Sequence, residues 1–168
     1  MEYKALQILD SHRLMALATI RPDGWPQCTL VGYVNEGLRL YFIVSRRSQK
    51  FQNILRDDRV SLTIGGDAHD PAEIAAVSMS ARVAEVTDQA RRDEIFAQML
   101  RRRPEYATFP RPDPKRSAIM RATPEIISVL DYARGFGHAD TILVGADDLV
   151  TMAAAQPDDW GLSPAPLN

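Results

Sequence analysis

Residues 41–62 read YFIVSRRSQKFQNILRDDRVSL, and the order of features within them decides the fold. An apolar run over residues 38–44 ends in the polar break Ser45-Arg46-Arg47-Ser48. A helix is predicted over residues 48–57, because Phe51, Ile54 and Leu55 recur at helical spacing. Ser48 suits its N-cap. Residues 59–64 (RVSLTI) then read as a strand. The loop between strand and helix has a composition of its own. Ser45, Arg46, Arg47, Ser48, Gln49 and Lys50 offer two hydroxyls, one amide and three cations in six positions. Unpaired N–H groups at a helix start favour an anion, and hydroxyls and cations complete such a site. The set suits a phosphate monoester. A solvated basic helix start, or pairing of Arg47 into the next turn, fits the composition too. Without glycines the loop is no nucleoside-triphosphate cradle.

Upstream, residues 1–10 read as a short helix and residues 13–20 as a strand. Pro22-Asp23-Gly24 is a turn: proline presets φ and glycine accepts positive φ. Residues 27–35 resume a strand, and Asn35-Glu36-Gly37 turns the chain into residues 38–44. Downstream, residues 65–71 form a loop, and residues 74–86 alternate as a long strand with room for a bulge. Thr87-Asp88 cap a helix running to about Arg103, with Ile95, Phe96, Met99 and Leu100 on its buried face. Residues 104–114 carry four of the eleven prolines and form a connector. Two strands, 116–122 and 125–131, flank Thr123-Pro124, and a Gly-rich loop follows over 132–140. The pattern weakens after Gly145, which predicts one domain over residues 1–145 and a C-terminal tail over 146–168. About seven strands with two or three short helices make an α+β protein. A mostly antiparallel sheet of this kind escapes its edges by closing into a small barrel.

Composition excludes several classes of function. The chain has 168 residues, net charge -2 and pI about 5.9, which argues against nucleic-acid binding by a basic face. Cys28 is the single cysteine, so there is no disulfide framework or cysteine-cluster metal site. His12, His69 and His138 are too scattered for a histidine-rich metal site. No apolar run reaches the ~20 residues of a membrane span. The start Met1-Glu2-Tyr3-Lys4 leads into no signal-peptide core, so the expected compartment is the cytoplasm, with no membrane partner. Arginine outnumbers lysine 17 to 3, which makes Lys50 conspicuous. No nucleophile–base pair stands out. Cys28 suits a small apolar strand residue, and Trp25 and Trp160 suit packing. His138, in Gly135-Phe136-Gly137-His138-Ala139-Asp140, is the one candidate for proton transfer or substrate contact.

The ordered set then becomes recognisable. Leu17-Ala-Thr-Ile-Arg-Pro-Asp-Gly-Trp-Pro26, the strand to Tyr33, Leu38-Arg-Leu-Tyr-Phe42, Ser48-Gln49-Lys50, Asn53-Ile54 and Asp58-Arg-Val-Ser-Leu62 resemble the pyridoxamine-5′-phosphate oxidase family. This is the flavin mononucleotide (FMN)-binding split-barrel group. The likeness covers residues 12 to 88 most clearly, and Ile127-Ser-Val-Leu-Asp-Tyr132 looks like a late strand of the same domain. The resemblance implies a six-stranded antiparallel split β-barrel with short flanking helices. It also implies a homodimer with FMN at the shared interface, and oxidoreductase chemistry on a small-molecule substrate.

Residue by residue, the family's phosphate-binding lysine falls on Lys50, with Ser48 and Gln49 beside it. The second-strand segment along the flavin ring falls on Thr29, Leu30 and Val31, and the end of the third strand falls on Val44 and Ser45. The oxidase places arginines where Thr29 and Gln49 stand, and Arg46 or Arg47 is the expected substitute for the missing charge. The oxidase's later glutamine falls near Ala76, and its C-terminal Trp and Arg have no counterpart. The resemblance therefore points to an oxidase-related protein with a substrate other than pyridoxamine phosphate. Two alternatives stay open. One is a deazaflavin cofactor on the same fold, its longer tail served by Arg46 and Arg47. The other is a non-catalytic flavin- or haem-binding protein, for which His12, His69 and His138 are the candidate axial ligands.

Overall fold

A computed structural model describes residues 2–145 and the strand at 150–153. Helix α1 (Glu2–Ser11) leads into strands β1 (Leu14–Ile20), β2 (Pro26–Gly32), β3 (Val34–Glu36) and β4 (Arg39–Ser45). Helix α2 (Gln49–Arg56) and strand β5 (Arg59–Gly65) follow, as expected from the deciding stretch. Strand β6 (Ala75–Glu85), helix α3 (Gln89–Arg102), strand β7 (Ser117–Asp131), strand β8 (Ala139–Val144) and strand β9 (Val150–Ala153) complete the chain. All pairings are antiparallel, in the order β2-β1-β5-β6-β7-β4-β3, with β8 added on β7 and β9 on β8. The two end strands of that path, β2 and β3, are joined through Tyr33 alone, so the sheet must curl towards itself. The result is an α+β half-barrel.

The strand count departs from the expected six: the sheet has nine. Three local causes carry the count from the seven strands read from the residue pattern to nine. The strand expected over 27–35 breaks at Tyr33, so β3 is a separate three-residue piece. Residues 139–144, which begin in the expected loop of 132–140, and residues 150–153 of the expected tail form a hairpin on β7. In the other direction, the two strands expected around Pro124 are one. β7 runs 15 residues, and its register against β6 steps from Ser80↔Ile126 to Ala81↔Pro124. Glu125 is the extra residue, and a bulge is where a strand tolerates a proline.

Alternation sets what faces inward. β5 alternates exposed and buried along its length, and Leu62 and Ile64 point into the core. Leu17, Leu40, Phe42, Met79, Met120 and Ile127 meet them there. Ala5, Ile8 and Leu9 of α1 and Phe51 and Ile54 of α2 cover the barrel openings. Burying a side chain such as Phe51 is worth about 1.5–3 kcal/mol. The expected apolar face of α2 needs one correction. Leu55 is 62% exposed, and Asn53 is fully buried in its place. α3 lays Ile95 and Met99 over Tyr41 and Ile119 on the outside of the sheet, as a second small core. Among the described residues no helix is long and apolar enough to cross a membrane.

Among the described residues nothing covers the outer face of β2-β1-β5-β6-β7. Pairing aligns Leu30, Ala16, Thr63, Ser78 and Ser128 in one row, and Cys28, Ala18, Ser61, Ser80 and Ile126 in the next. These rows are small or apolar and carry no charge.

Candidate functional site

The turn before α2 is built by its two serines. Ser48 has extended backbone and caps the helix, its Oγ accepting from the N–H of Phe51 at 3.3 Å. Its hydroxyl donates to the carbonyl of Ser45 at 2.7 Å, and the Oγ of Ser45 accepts from the N–H of Arg47 at 3.2 Å. The Ser48 carbonyl takes the N–H of Gln52 at 3.3 Å. The first-turn N–H groups of Gln49 and Lys50 remain, as helix starts require. Lys50 is half-buried, burial pushes its ammonium below the usual lysine range, and no acidic partner faces it among the described residues. A cation that has lost water and gained no carboxylate is suited to an anionic ligand.

Asn53 ties this helix start to the sheet. Its Nδ2 donates to Thr19 Oγ1 at 3.0 Å and to Gln27 Oε1 at 3.2 Å, and its Oδ1 accepts from Gln49 Nε2 at 2.8 Å. Gln27 and Thr29 lie one repeat apart on the same face of β2, so the hydroxyl of Thr29 sits on the face that looks towards α2. Thr29 Oγ1 is buried and lacks any hydrogen-bond partner among the described residues. Buried polar atoms are nearly always paired, so this orphan marks a place where a further polar group fits. Among the described residues β2 pairs only with β1. Its other edge therefore carries unpaired backbone groups at alternate residues. Leu30 is 71% exposed, while Val31 and Val44 are buried in the main core. Ser45 is exposed at the end of β4, opposite Ser117. An orphaned hydroxyl, an uncompensated ammonium and an open strand edge together fit a phosphate-bearing planar cofactor.

Arg46 is placed differently from expectation. Both Nη atoms bind the carboxylate of Glu85, Nε donates to the carbonyl of Pro114 at 2.8 Å, and the guanidinium lies 5.4 Å from the centre of the Phe51 ring. The carboxylate holds it charged, above the usual arginine range. This side chain braces the turn against β6 and the connector, and its donors are engaged there. Arg47 remains exposed beside it.

His138 is not brought to this site within one chain. β7 begins beside Ser45 and ends at Asp131, whose N–H bonds the carbonyl of His138 at 3.0 Å. Those ends are separated by about 45 Å of strand contour. His138 Nε2 lies 3.2 Å from Asp140 Oδ2, which also binds Arg134, but the approach is too poorly angled to make a hydrogen bond. Asn53, Gln27 and Thr19 are the members of the site that the sequence reading missed. A lone asparagine in a polar helix carries no sign of burial; its only signal is its place in the family pattern.

The family model for pyridoxamine 5'-phosphate oxidase matches residues 1–130. No curated protein matches the chain significantly. Among solved structures, a pyridoxamine 5'-phosphate oxidase-related, FMN binding protein from Nostoc punctiforme is 18% identical, with TM-score 0.64, covering 92% of this chain and 94% of that one. A heme binding protein from Mycobacterium smegmatis is 19% identical, with TM-score 0.72, over 84% of this chain and 57% of the other. A FAD-binding protein from Mesorhizobium loti is 18% identical, with TM-score 0.61, over 76% and 91%. At these identities the likeness is one of fold.

Proposed function

The chain belongs to the pyridoxamine 5'-phosphate oxidase family, and from that premise we propose that it is an FMN-binding oxidoreductase of the split-barrel type, acting on a small molecule. Lys50 is the observation that carries the reading: a half-buried cation without an acidic partner among the described residues, at the first turn of a helix. On this reading Lys50 and the N–H groups of Gln49 and Lys50 hold the phosphate, and Ser48, its hydroxyl turned from the Ser45 carbonyl, joins them. Thr29 Oγ1 gains the partner it lacks. The open edge of β2 at Thr29, Leu30 and Val31 orients the ring, and N–H groups there stabilise negative charge as it develops. Val44 and Ser45 border the ring from β4. The flavin itself supplies the electron transfer. With Arg46 committed to Glu85, Arg47 alone is left to extend a basic groove, which favours FMN over a longer-tailed deazaflavin.

The two uncharged rows on the outer face of β1, β5 and β6, bordered at one end by Arg59 and Arg82, support the homodimer in this proposal, with the cofactor at the shared surface. Leu14, Leu30, Ile126 and Leu143 are 51%, 71%, 44% and 42% exposed, and a C₂ interface would cover such a face on both copies.

The test compares FMN with riboflavin, which lacks the phosphate. Lys50→Ala removes a charge-assisted bond worth about 1.5–3 kcal/mol, or about 10- to 150-fold in FMN affinity, and leaves riboflavin affinity unchanged. Equal FMN affinity in the variant and the wild type, by fluorescence quenching, would dispose of the assignment. The visible spectrum of the purified protein checks the cofactor itself, because flavin, deazaflavin and haem absorb differently.

A further inference from the structure

A separate cavity of about 360 Å³ lies against the outside of β4, roofed by the proline-rich connector of residues 104–114. Its floor includes Gly32 and Ile43, the immediate neighbours of Val31 and Val44. Its walls include Phe96 of α3 and Tyr106 and Phe109 of the connector, and Ser117 closes one side. That volume falls within the usual range for small-molecule pockets, about 300–1,000 Å³.

Three features give the cavity a chemical character. First, no charged side chain lines it among the described residues. Second, of its three hydroxyl-bearing residues Tyr33 donates to the Leu9 carbonyl at 2.8 Å, whereas Tyr106 Oη and Ser117 Oγ have no hydrogen-bond partner among the described residues. Third, the roof is held in place by the protein. Arg103 Nη2 donates to the His12 carbonyl at 2.7 Å, Arg46 Nε to the Pro114 carbonyl at 2.8 Å, and Arg111 pairs with Asp93. Tyr106 and Phe109 meet edge to face with centroids 6.1 Å apart. Gly32 makes the close approach possible: Tyr106 Oη lies 2.8 Å from where a Cβ at residue 32 would stand.

We propose that this cavity is the substrate pocket, and that it takes an uncharged, largely apolar ring compound with a hydrogen-bonding group facing Tyr106 and Ser117. A phosphorylated ligand is disfavoured, because a buried charge without a counter-ion pays its full desolvation cost. The pocket's apolar preference stands on its own lining. Calling the occupant a substrate rests on the flavin reading, through the adjacency of Gly32 and Ile43 to the two segments assigned to the ring.

The test is a fluorescence titration of the full chain with 2-naphthol, with and without FMN, and with pyridoxamine 5'-phosphate as competitor. Gly32→Val adds a side chain that a strand accepts and that occupies the place of the Tyr106 hydroxyl. Phe109→Ala removes part of a wall at a position 66% exposed, where the fold is not at risk. Saturable binding by the wild type is expected, weakened about tenfold or more by each variant, with FMN affinity unchanged and no competition from pyridoxamine 5'-phosphate. Absent binding, equal affinity in wild type and both variants, or effective competition by pyridoxamine 5'-phosphate overturns the proposal. Normal FMN binding beside absent 2-naphthol binding sinks the pocket and spares the flavin. If 2-naphthol binds as expected and FMN does not, the pocket stands and the flavin reading falls.

Discussion

Asn53→Ala is the sharpest probe of how the site is held. The side chain is fully buried and joins α2 to both β1 and β2. Its three partners are not equivalent. Thr19 is 1% exposed, so its Oγ1 loses the Asn53 donor where water does not reach, at about 1–3 kcal/mol. Gln27 and Gln49 are partly or fully exposed, and water replaces most of what they lose, leaving about 0.5 kcal/mol each. The sum is about 2–4 kcal/mol, a large share of the roughly 5–15 kcal/mol that holds a domain folded. Urea unfolding followed by circular dichroism reads it directly. With a slope near 2 kcal/mol per M, the midpoint falls by about 1–2 M. Asn53→Asp separates polarity from packing. Burial raises the new carboxyl above its unfolded value. The variant is therefore closest to wild type below the unfolded pKa and loses stability as pH rises through the folded one. A loss below about 1 kcal/mol in Asn53→Ala, or an Asn53→Asp variant insensitive to pH, would show that water serves these groups equally well.

Four further outcomes follow from the same geometry. Arg46→Ala breaks the paired hydrogen bonds to the Glu85 carboxylate and the hydrogen bond to the Pro114 carbonyl, and should cost about 1–3 kcal/mol in urea unfolding. It should leave the FMN-to-riboflavin affinity ratio intact; a collapse of that ratio would return Arg46 to the phosphate. Lys50→Met should stabilise the ligand-free protein, since burial disfavours the charged ammonium. The wild type gains stability as pH rises through the lowered lysine pKa, and the variant's melting temperature should lack that rise. Ala18→Arg puts a cation into the uncharged rows of the sheet face and should convert a dimer to a monomer in sedimentation velocity, so a wild type that is already monomeric defeats the interface. Asp57 is held by Arg59 down to about 2. Its contribution is present above the ordinary 3.8 and is lost as pH falls towards 2, so Asp57→Asn should flatten unfolding curves across that window alone.

Most of the barrel was legible because its signals are local. Ser48 caps α2 through a bond three residues away, and β5 announces itself by alternation within seven residues. The hairpin of β8 and β9 was not legible. Its strands follow a glycine-rich loop, and pairing fixes them, β8 on β7 with Ile127↔Ile142 in register and β9 on β8. Pro124 misled for a related reason. A proline within a strand pattern reads as a break, but the extra residue Glu125 lets β7 continue past it on β6.

The roles of Arg46 and Lys50 show where one-dimensional reading stops. They are two of three cations in a six-residue run, and composition treats them alike. What separates them lies 39 residues away: Glu85, at the end of β6, claims the guanidinium. No spacing rule connects those positions, because β6 reaches the turn only through its pairing with β7, which in turn pairs with β4. Once that carboxylate is spoken for, charge balance assigns the rest. Arg46 is neutralised within the fold and Arg47 stays in water. Lys50 is left as the one desolvated cation of the run without an acidic partner among the described residues. A desolvated charge that folding leaves uncompensated costs stability until an anion arrives, and that cost makes Lys50, among the cations of the run, the one suited to binding.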